Sequence, residues 1–418
     1  VSVNEGVNTE VSESAVALAG LLRVCEPPSA ALTLFVRKVG PVAAWRGVLT
    51  RRAPRAVLAA TAARTQDVAA DVLIRRAEED LAVAARSGAR VIGPADDDWP
   101  ADAVESFQGA LARGVRGAGP PFALYVRGRS LAALPGDGVT IVGSRASSAY
   151  GQRVAGEMAH ELAFRGLTVI SGAAFGIDTA AHRAALVAAR DVTSKSPATV
   201  AVLACGIDRA YPEANRPLLD AIGASGSVVS EYPPGTTPAR HRFLVRNRLI
   251  AAFGAGTVVV EAGRRSGTLS TAAAAEQLGR LVMAVPGPVT SAMSVGCHLL
   301  LSDRFAQLVT GADDVLAALG RHGQRDGSRV ADDAVPGRDP RHPTDGLDLE
   351  SARVYDAFPT YAACSVEELA IESGLHARDI VGALGTLEAH GLISKHGPLW
   401  QRVDLTRPQI KNHPGQSK

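Results

Sequence analysis

Val139-Thr-Ile-Val-Gly-Ser144 is a run of apolar, largely β-branched residues that gives way to small ones, the pattern of a strand buried on both faces. An amphipathic stretch from Tyr150 to Arg165 follows, and Gly166 stands where a left-handed residue would stop a helix. The alternation then repeats. Leu167-Thr-Val-Ile-Ser-Gly172 predicts a second strand and Ile177 to Ala189 a second helix. Thr199-Val-Ala-Val-Leu-Ala204 predicts a third strand, with a helix from about Ala214 to Ile222. Val228-Val-Ser-Glu231 and Thr257-Val-Val-Val-Glu261 predict the fourth and fifth, followed by helices over Arg240–Phe253 and Thr268–Leu278. Leu281-Val-Met-Ala-Val285 is the sixth. Apolar strands alternating with helices predict an α/β fold, a parallel sheet with helices on both faces.

The flanks read differently. Residues 1–85 are rich in Ala, Arg and Leu at helical spacing, which predicts a helical N-terminal domain before an α/β domain over 86–320. Residues 321–348 mix both charge signs with almost no aliphatic side chains, the composition of a disordered linker. Over 349–405 the pattern is a winged helix-turn-helix. It has a helix at Leu349–Ala357, a second opened by the capping box Ser365-Val-Glu-Glu368, a third over Ala377–His390, and a two-stranded wing. The third helix sets Arg378 and His390 against Asp379 and Glu388, so it is a weak phosphate binder and suits a protein contact equally well. Residues 406–418 read as a polar tail.

Composition removes several classes of function. The 418 residues carry Lys+Arg 44 against Asp+Glu 42, so a nucleic-acid site must come from a local cluster. No lysine follows a glycine, which excludes a Gly-Lys-Ser/Thr phosphate loop. The four cysteines form no Cys-x-x-Cys pair, and Cys297-His298 is half a metal site at best. The apolar run Ala15–Leu22 is too short for a membrane span, and acidic residues precede it. The expectation is a soluble, cytoplasmic protein with no cofactor and no metal.

Open α/β sheets bind ligands beyond the carboxyl ends of their strands. Those ends read Gly143-Ser144-Arg145, Ser171-Gly172, Cys205-Gly206, Ser230-Glu231 and Glu261-Ala262-Gly263. Arg264-Arg265-Ser266-Gly267-Thr268 comes next, at a helix start whose N–H groups and dipole favour an anion. Each loop alone is readable as a turn and an N-cap; several on one sheet edge point to a ligand whose species stays open. No dinucleotide fingerprint or nucleophile elbow is present, and Asp178 and His182, four apart on a helix, are a weak case for a dyad. The sharpest local feature is Arg240-His-Arg-Phe-Leu-Val-Arg-Asn-Arg248. Arg240, Arg242, Arg246, Arg248 and Phe243 fit a strip that grips phosphates and stacks on unpaired bases. The competing reading packs Phe243, Leu249, Ile250 and Phe253 into the core.

Taken in order, these blocks resemble the DNA processing protein A (DprA/Smf) family. The matching text is Ile141-Val-Gly-Ser-Arg145, Ser171-Gly-Ala-Ala-Phe-Gly-Ile-Asp178, Tyr211-Pro212, Ser230-Glu-Tyr-Pro-Pro-Gly235, Phe243 with Arg246-Asn-Arg-Leu-Ile250, Arg265-Ser-Gly-Thr268 and Ala284-Val-Pro-Gly-Pro-Val289. The resemblance implies an extended Rossmann domain that dimerises, binds single-stranded DNA without sequence preference and loads RecA recombinase in natural transformation. It implies DNA contacts at Arg145, Arg240 and Phe243. It also implies a phosphate-sized pocket at Gly143, Ser144, Ser171, Gly172, Ser266, Gly267 and Thr268, and Glu231, Asn247 and Glu261 are further candidates for its lining. The chain departs from the family text at Arg23-Val-Cys-Glu-Pro-Pro28, which lacks the helix-hairpin-helix glycine, and around Cys297-His298. A second reading comes from Glu261 and the Ser-Gly-Thr helix start. They resemble the nucleoside-monophosphate phosphoribohydrolases, although catalysis is not expected. A third is a transcription regulator acting through the winged helix.

Overall fold

The computed structural model describes residues 12–115, 119–189, 196–303, 305–320, 347–359, 362–373 and 375–403. The linker expected at 321–348 lies outside them but for its last two residues, and the tail 406–418 lies wholly outside. Two compact units are present, one within Val1–Arg325 and one within Asp326–Lys418.

All six expected strands form: β3 (Gly138–Val142), β4 (Thr168–Ser171), β5 (Thr199–Leu203), β6 (Ser227–Ser230), β7 (Gly256–Val259) and β8 (Leu281–Ala284). Three more extend the sheet: β1 (Ala89–Ile92), β2 (Leu124–Gly128) and β9 (Gln307–Leu308). The order is β1-β2-β6-β5-β4-β3-β7-β8-β9. Strands from β6 to β9 are parallel, whereas β2 runs antiparallel to β6 and β1 antiparallel to β2. The sheet is therefore mixed at one edge. The chain winds outward from β3 to β6 and later returns with β7 beside β3, Val142 opposite Val259. That reversal opens a crevice beyond the carboxyl ends of the strands.

Alternation along each strand feeds two helix layers. Val200, Val202 and Val229 pack against α6 (Ala101–Ala112), α10 (Arg240–Phe253) and α11 (Thr268–Gln277). On the opposite face, Val139, Ile141, Val169 and Val258 meet α7 (Ala149–Phe164) and α8 (Ile177–Ala188). Ala201, Leu203 and Val228 share that face with α9 (Arg216–Ser225) and with the N-terminal helices. These are α1 (Glu13–Val24), α2 (Ala30–Val39), α3 (Pro41–Leu49), α4 (Arg55–Thr65) and α5 (Ala70–Arg86). The helical region expected over 1–85 thus shares a hydrophobic core with the sheet edge. Gly20 lets α1 press on α3, since a Cβ there would stand 2.6 Å from the Trp45 indole.

In the second unit, α12 (Leu349–Ala357), α13 (Val366–Ser373) and α14 (Ala377–Ala389) precede the antiparallel pair β10 (Ile393–His396) and β11 (Leu399–Arg402). Val354, Leu369, Ile380, Leu384, Leu387 and Ile393 form its core. The capping box closes reciprocally: Ser365 N–H donates to Glu368 Oε2 at 2.8 Å and Glu368 N–H to Ser365 Oγ at 3.2 Å.

Candidate functional site

The loop after β3 is pressed down by small residues. A Cβ on Gly143 would lie 2.5 Å from Ile177 Cγ1, and one on Gly176 would lie 2.3 Å from the Ser144 carbonyl oxygen. Gly176 also has φ +75°, which favours glycine. With its backbone seated on the start of α8, this loop presents Arg145 to solvent. The Arg145 guanidinium carbon stands 5.0 Å from the centroid of the Phe243 ring, within cation–π range. Tyr211 stands 5.3 Å from the same ring, tilted by 52°. Arg145, Phe175, Tyr211 and Phe243 wall a shallow hollow above Gly172, Ala174 and Pro212.

Helix α10 supplies this site with one of its sides only. Arg240, one turn before Phe243, and His241 are exposed. Arg242 turns towards the N-terminal helices, where its Nε donates to Glu26 Oε1 at 2.8 Å and its Nη1 to the Thr237 carbonyl at 2.6 Å. Glu26 is also paired with Arg64. Burial alone would raise its pKa, but the hydrogen bonds from Arg242 and Arg64 hold Glu26 below the usual carboxylate range.

Arg246 and Arg248, expected on the strip, are instead buried, each 5% exposed. Arg246 Nη1 donates to the carbonyls of Gly172, at 2.9 Å, and Val202. Burial pushes its pKa down to about 10, so it stays charged at neutral pH, with Asp178 among the charges that favour it. Arg248 Nη2 donates to Glu231 Oε1 at 2.8 Å and its Nε to the Gly119 carbonyl at 2.9 Å. Burial raises the Glu231 pKa, and the Arg248 charge opposes it. These two arginines hold the sheet edge together from beneath and do not reach a strand lying on the surface.

Residues 90–320, over half of the chain, match the family model of DNA recombination-mediator protein A. This chain belongs to the DprA/Smf family. It is 43% identical over 392 residues to a DprA relative from Mycobacterium tuberculosis, which spans 94% of this chain and 95% of that protein. It is 40% identical over 222 residues to the DNA processing protein DprA of Streptococcus pneumoniae, 53% of this chain and 71% of that one. The X-ray structure of the Streptococcus pneumoniae protein superposes with a TM-score of 0.54 at 30% identity, covering 74% of this chain and 98% of that chain.

In this DprA-family chain the residues grouped as a phosphate pocket divide into three sets. Gly143, Ser144 and Gly172 form the first set: Gly172 lines the hollow, Gly143 is pressed on Ile177, and Ser144 Oγ rests 3.3 Å from Met293 Sδ. Gly172 admits no side chain, because a Cβ would meet Arg246 Nη2 at 2.8 Å and Asp178 Oδ2 at 2.9 Å. Ser171, Glu231 and Glu261 are buried and spent on the fold. Ser171 Oγ donates to the Ile141 carbonyl at 2.7 Å. Glu261 accepts from the backbone N–H of Ser148, at 2.9 Å, and from its hydroxyl, while Ser148 caps α7. A carboxylate so occupied braces a helix start. Asn247, Ser266, Gly267 and Thr268 gather at the start of α11, where Asn247 Nδ2 donates to Ser270 Oγ at 2.8 Å and Thr268 N–H to Ser266 Oγ at 3.2 Å.

Asp178 and His182 do not pair with each other. Asp178 Oδ2 accepts from the N–H groups of Gly172 and Ala174, and His182 Nδ1 lies 2.7 Å from Thr199 Oγ1. The Thr199 hydroxyl is donated to the Val169 carbonyl, so Nδ1–H of a neutral imidazole is the donor. Burial, with the Arg246 charge second, pushes the His182 pKa down to about 3. All four cysteines are buried and unpaired, and burial raises Cys205 and Cys364 to about 11 and Cys297 to about 12. His298 Nε2 lies 3.0 Å from the Gly287 carbonyl, separate in its contacts from Cys297 Sγ, which faces Val259 and Val260. Among the described residues no group of three His, Cys, Asp or Glu could hold a metal, and no helix is long and apolar enough to cross a membrane. Sequence reasoning gave Tyr211 and Phe175 no role; their signal was aromatic residues in strand-end loops, where a buried core needs none.

Proposed function

We propose that this chain binds single-stranded DNA along the rim formed by Arg145, Phe243 and Arg240, and that as a homodimer it delivers the strand to RecA recombinase during natural transformation. The observation that carries this reading is the Arg145 guanidinium held over Phe243 at the open edge of the sheet. A preorganised guanidinium beside an aromatic wall is the chemistry that grips a phosphate next to an unpaired base. With a net charge of only +2 the chain cannot bind by overall attraction, so this local pair and Arg240 carry the affinity. The family's description as a recombination mediator and the relatives' names as DNA processing proteins agree with it.

A titration against poly-dT and a matching duplex tests the reading. The intact protein is expected to prefer poly-dT, with affinity that falls as salt rises. Arg145→Ala and Arg240→Ala are each expected to shrink the salt slope by about 0.7. Salt-independent binding, or variants that bind as the parent does, would remove the proposal. Delivery to RecA is read as faster filament growth on a coated strand, lost with Arg145→Ala, and the dimer by sedimentation.

A further inference from the structure

We infer that Tyr211 and Phe175, and not Phe243, supply the aromatic surface on which one base of the bound strand stacks. The inference rests on the single-stranded DNA reading and names what occupies the hollow. Phe243 is half-buried and already engaged, with Arg145 at 5.0 Å and Arg246 at 5.7 Å from its ring centroid and Tyr211 tilted against it. Its role is to position the Arg145 guanidinium. The aromatic surface still open belongs to Phe175, 49% exposed, and Tyr211, 43% exposed.

Phe175 is held outward by a fastened loop. Asp178 accepts from the N–H of Gly172 and Ala174, the Thr179 hydroxyl donates to the Ala174 carbonyl at 2.7 Å, and Asn215 Nδ2 donates to the Ala173 carbonyl at 3.0 Å. Ala173 itself adopts φ +54°, a conformation a non-glycine residue keeps only when its surroundings demand it. A rigid backbone that turns a large apolar ring to water beside a second exposed ring marks a binding surface. The occupant is set by its neighbours. Arg145 at the wall supplies charge for a phosphate, and the hollow supplies a flat apolar slot, a pairing that matches one unstacked nucleobase and its backbone. Of the residues around the hollow only Arg145 and Tyr211 carry polar side-chain atoms, so the slot accepts any base.

The test compares a dT oligomer with an abasic oligomer of equal length and charge, bound to the full-length protein at fixed salt. The parent is expected to bind dT about tenfold more tightly, the range of one base–aromatic stack. The Tyr211→Ala/Phe175→Ala double variant is expected to bind dT no better than the abasic strand while keeping its salt slope. Tyr211→Phe should retain the preference. Phe243→Ala should weaken both oligomers together, because it loosens Arg145. A double variant that still prefers dT, or a parent that binds both oligomers equally, overturns this inference and leaves the DNA-binding proposal standing. A parent that binds neither oligomer overturns both.

Discussion

The two halves of α10 put the same residue type to opposite uses. In the first turn, Arg240 and His241 face solvent beside Phe243 and the Arg145 loop. From Arg246 onward the helix is buried but for the partly exposed Asn247, and its two arginines serve backbone carbonyls and Glu231. An arginine on the rim offers its charge to a ligand; one beneath the sheet edge has been taken from water and holds structure in place. The contrast separates two experiments that a count of basic residues would merge: loss of a rim arginine shows in binding, and loss of a buried one shows in folding.

The largest expected effect therefore belongs to the buried half. Arg248→Leu leaves Glu231 charged, buried and without its guanidinium, and stability measured by denaturant unfolding is expected to fall by about 3–5 kcal/mol. Changing Glu231→Leu as well should recover much of the loss, because the uncompensated charge goes with it. If Arg248→Leu unfolds at the parent's denaturant midpoint, the division of α10 proposed here is wrong.

His182 senses burial and the charge of Arg246. Its pKa is about 3 in the folded chain against an ordinary 6.5. Below pH 6.5 the unfolded chain takes a proton that the folded chain refuses, so this residue's contribution is complete above that pH and is lost as pH falls towards 3. The slope is about 1.4 kcal/mol per pH unit. The difference in stability between the parent and His182→Leu should narrow with that slope over the same window, read from urea midpoints. A difference that does not change with pH would show His182 free to titrate normally.

How far the sequence carries is visible along α10 itself. Phe253, Ile250, Leu249, Arg246 and Arg242 recur at helical spacing, so counting back from the apolar end places Arg246 and Arg242 on the covered side, whereas Arg248 falls off that series and its burial depends on the Gly119 carbonyl and Glu231. Residue type pointed to phosphate while the helical period pointed inward, and the period prevailed. The six parallel strands were legible because β-branched runs buried on both faces are distinctive. The antiparallel edge was not, since Ala89–Ile92 is covered only at its two ends and the burial of Leu124–Gly128 depends on a partner strand about a hundred residues away. Gly143, Ser144 and Arg145 were found from their place at a strand end. The occupation of Glu261 by Ser148 and of Glu231 by Arg248 was hidden, because a carboxylate's partner is a property of packing.

On the rim the expected effects are smaller. Arg145→Ala or Arg240→Ala should lower affinity for single-stranded DNA about tenfold, as for a hydrogen bond to a charged group. The unfolding midpoint should stay unchanged, because neither side chain is buried. A variant that binds normally but melts early would move Arg145 into the structural class.

Arg242 lies between the two classes and sharpens the comparison most finely. It sits on the inward face, yet its partner is a carboxylate from the loop between α1 and α2 that Arg64 also holds and His241 approaches at 3.4 Å. Glu26→Gln removes that negative charge and leaves Arg242 with the Thr237 carbonyl. The loss of a half-exposed pair is expected to cost about 1 kcal/mol of stability or less. If Arg242 belongs with Arg240, the released guanidinium should add a fraction of one phosphate contact. Affinity would then rise about twofold and the salt slope would steepen by less than 0.7. If it belongs with Arg246, Glu26→Gln changes stability alone, and the boundary between ligand and scaffold falls between Arg240 and Arg242.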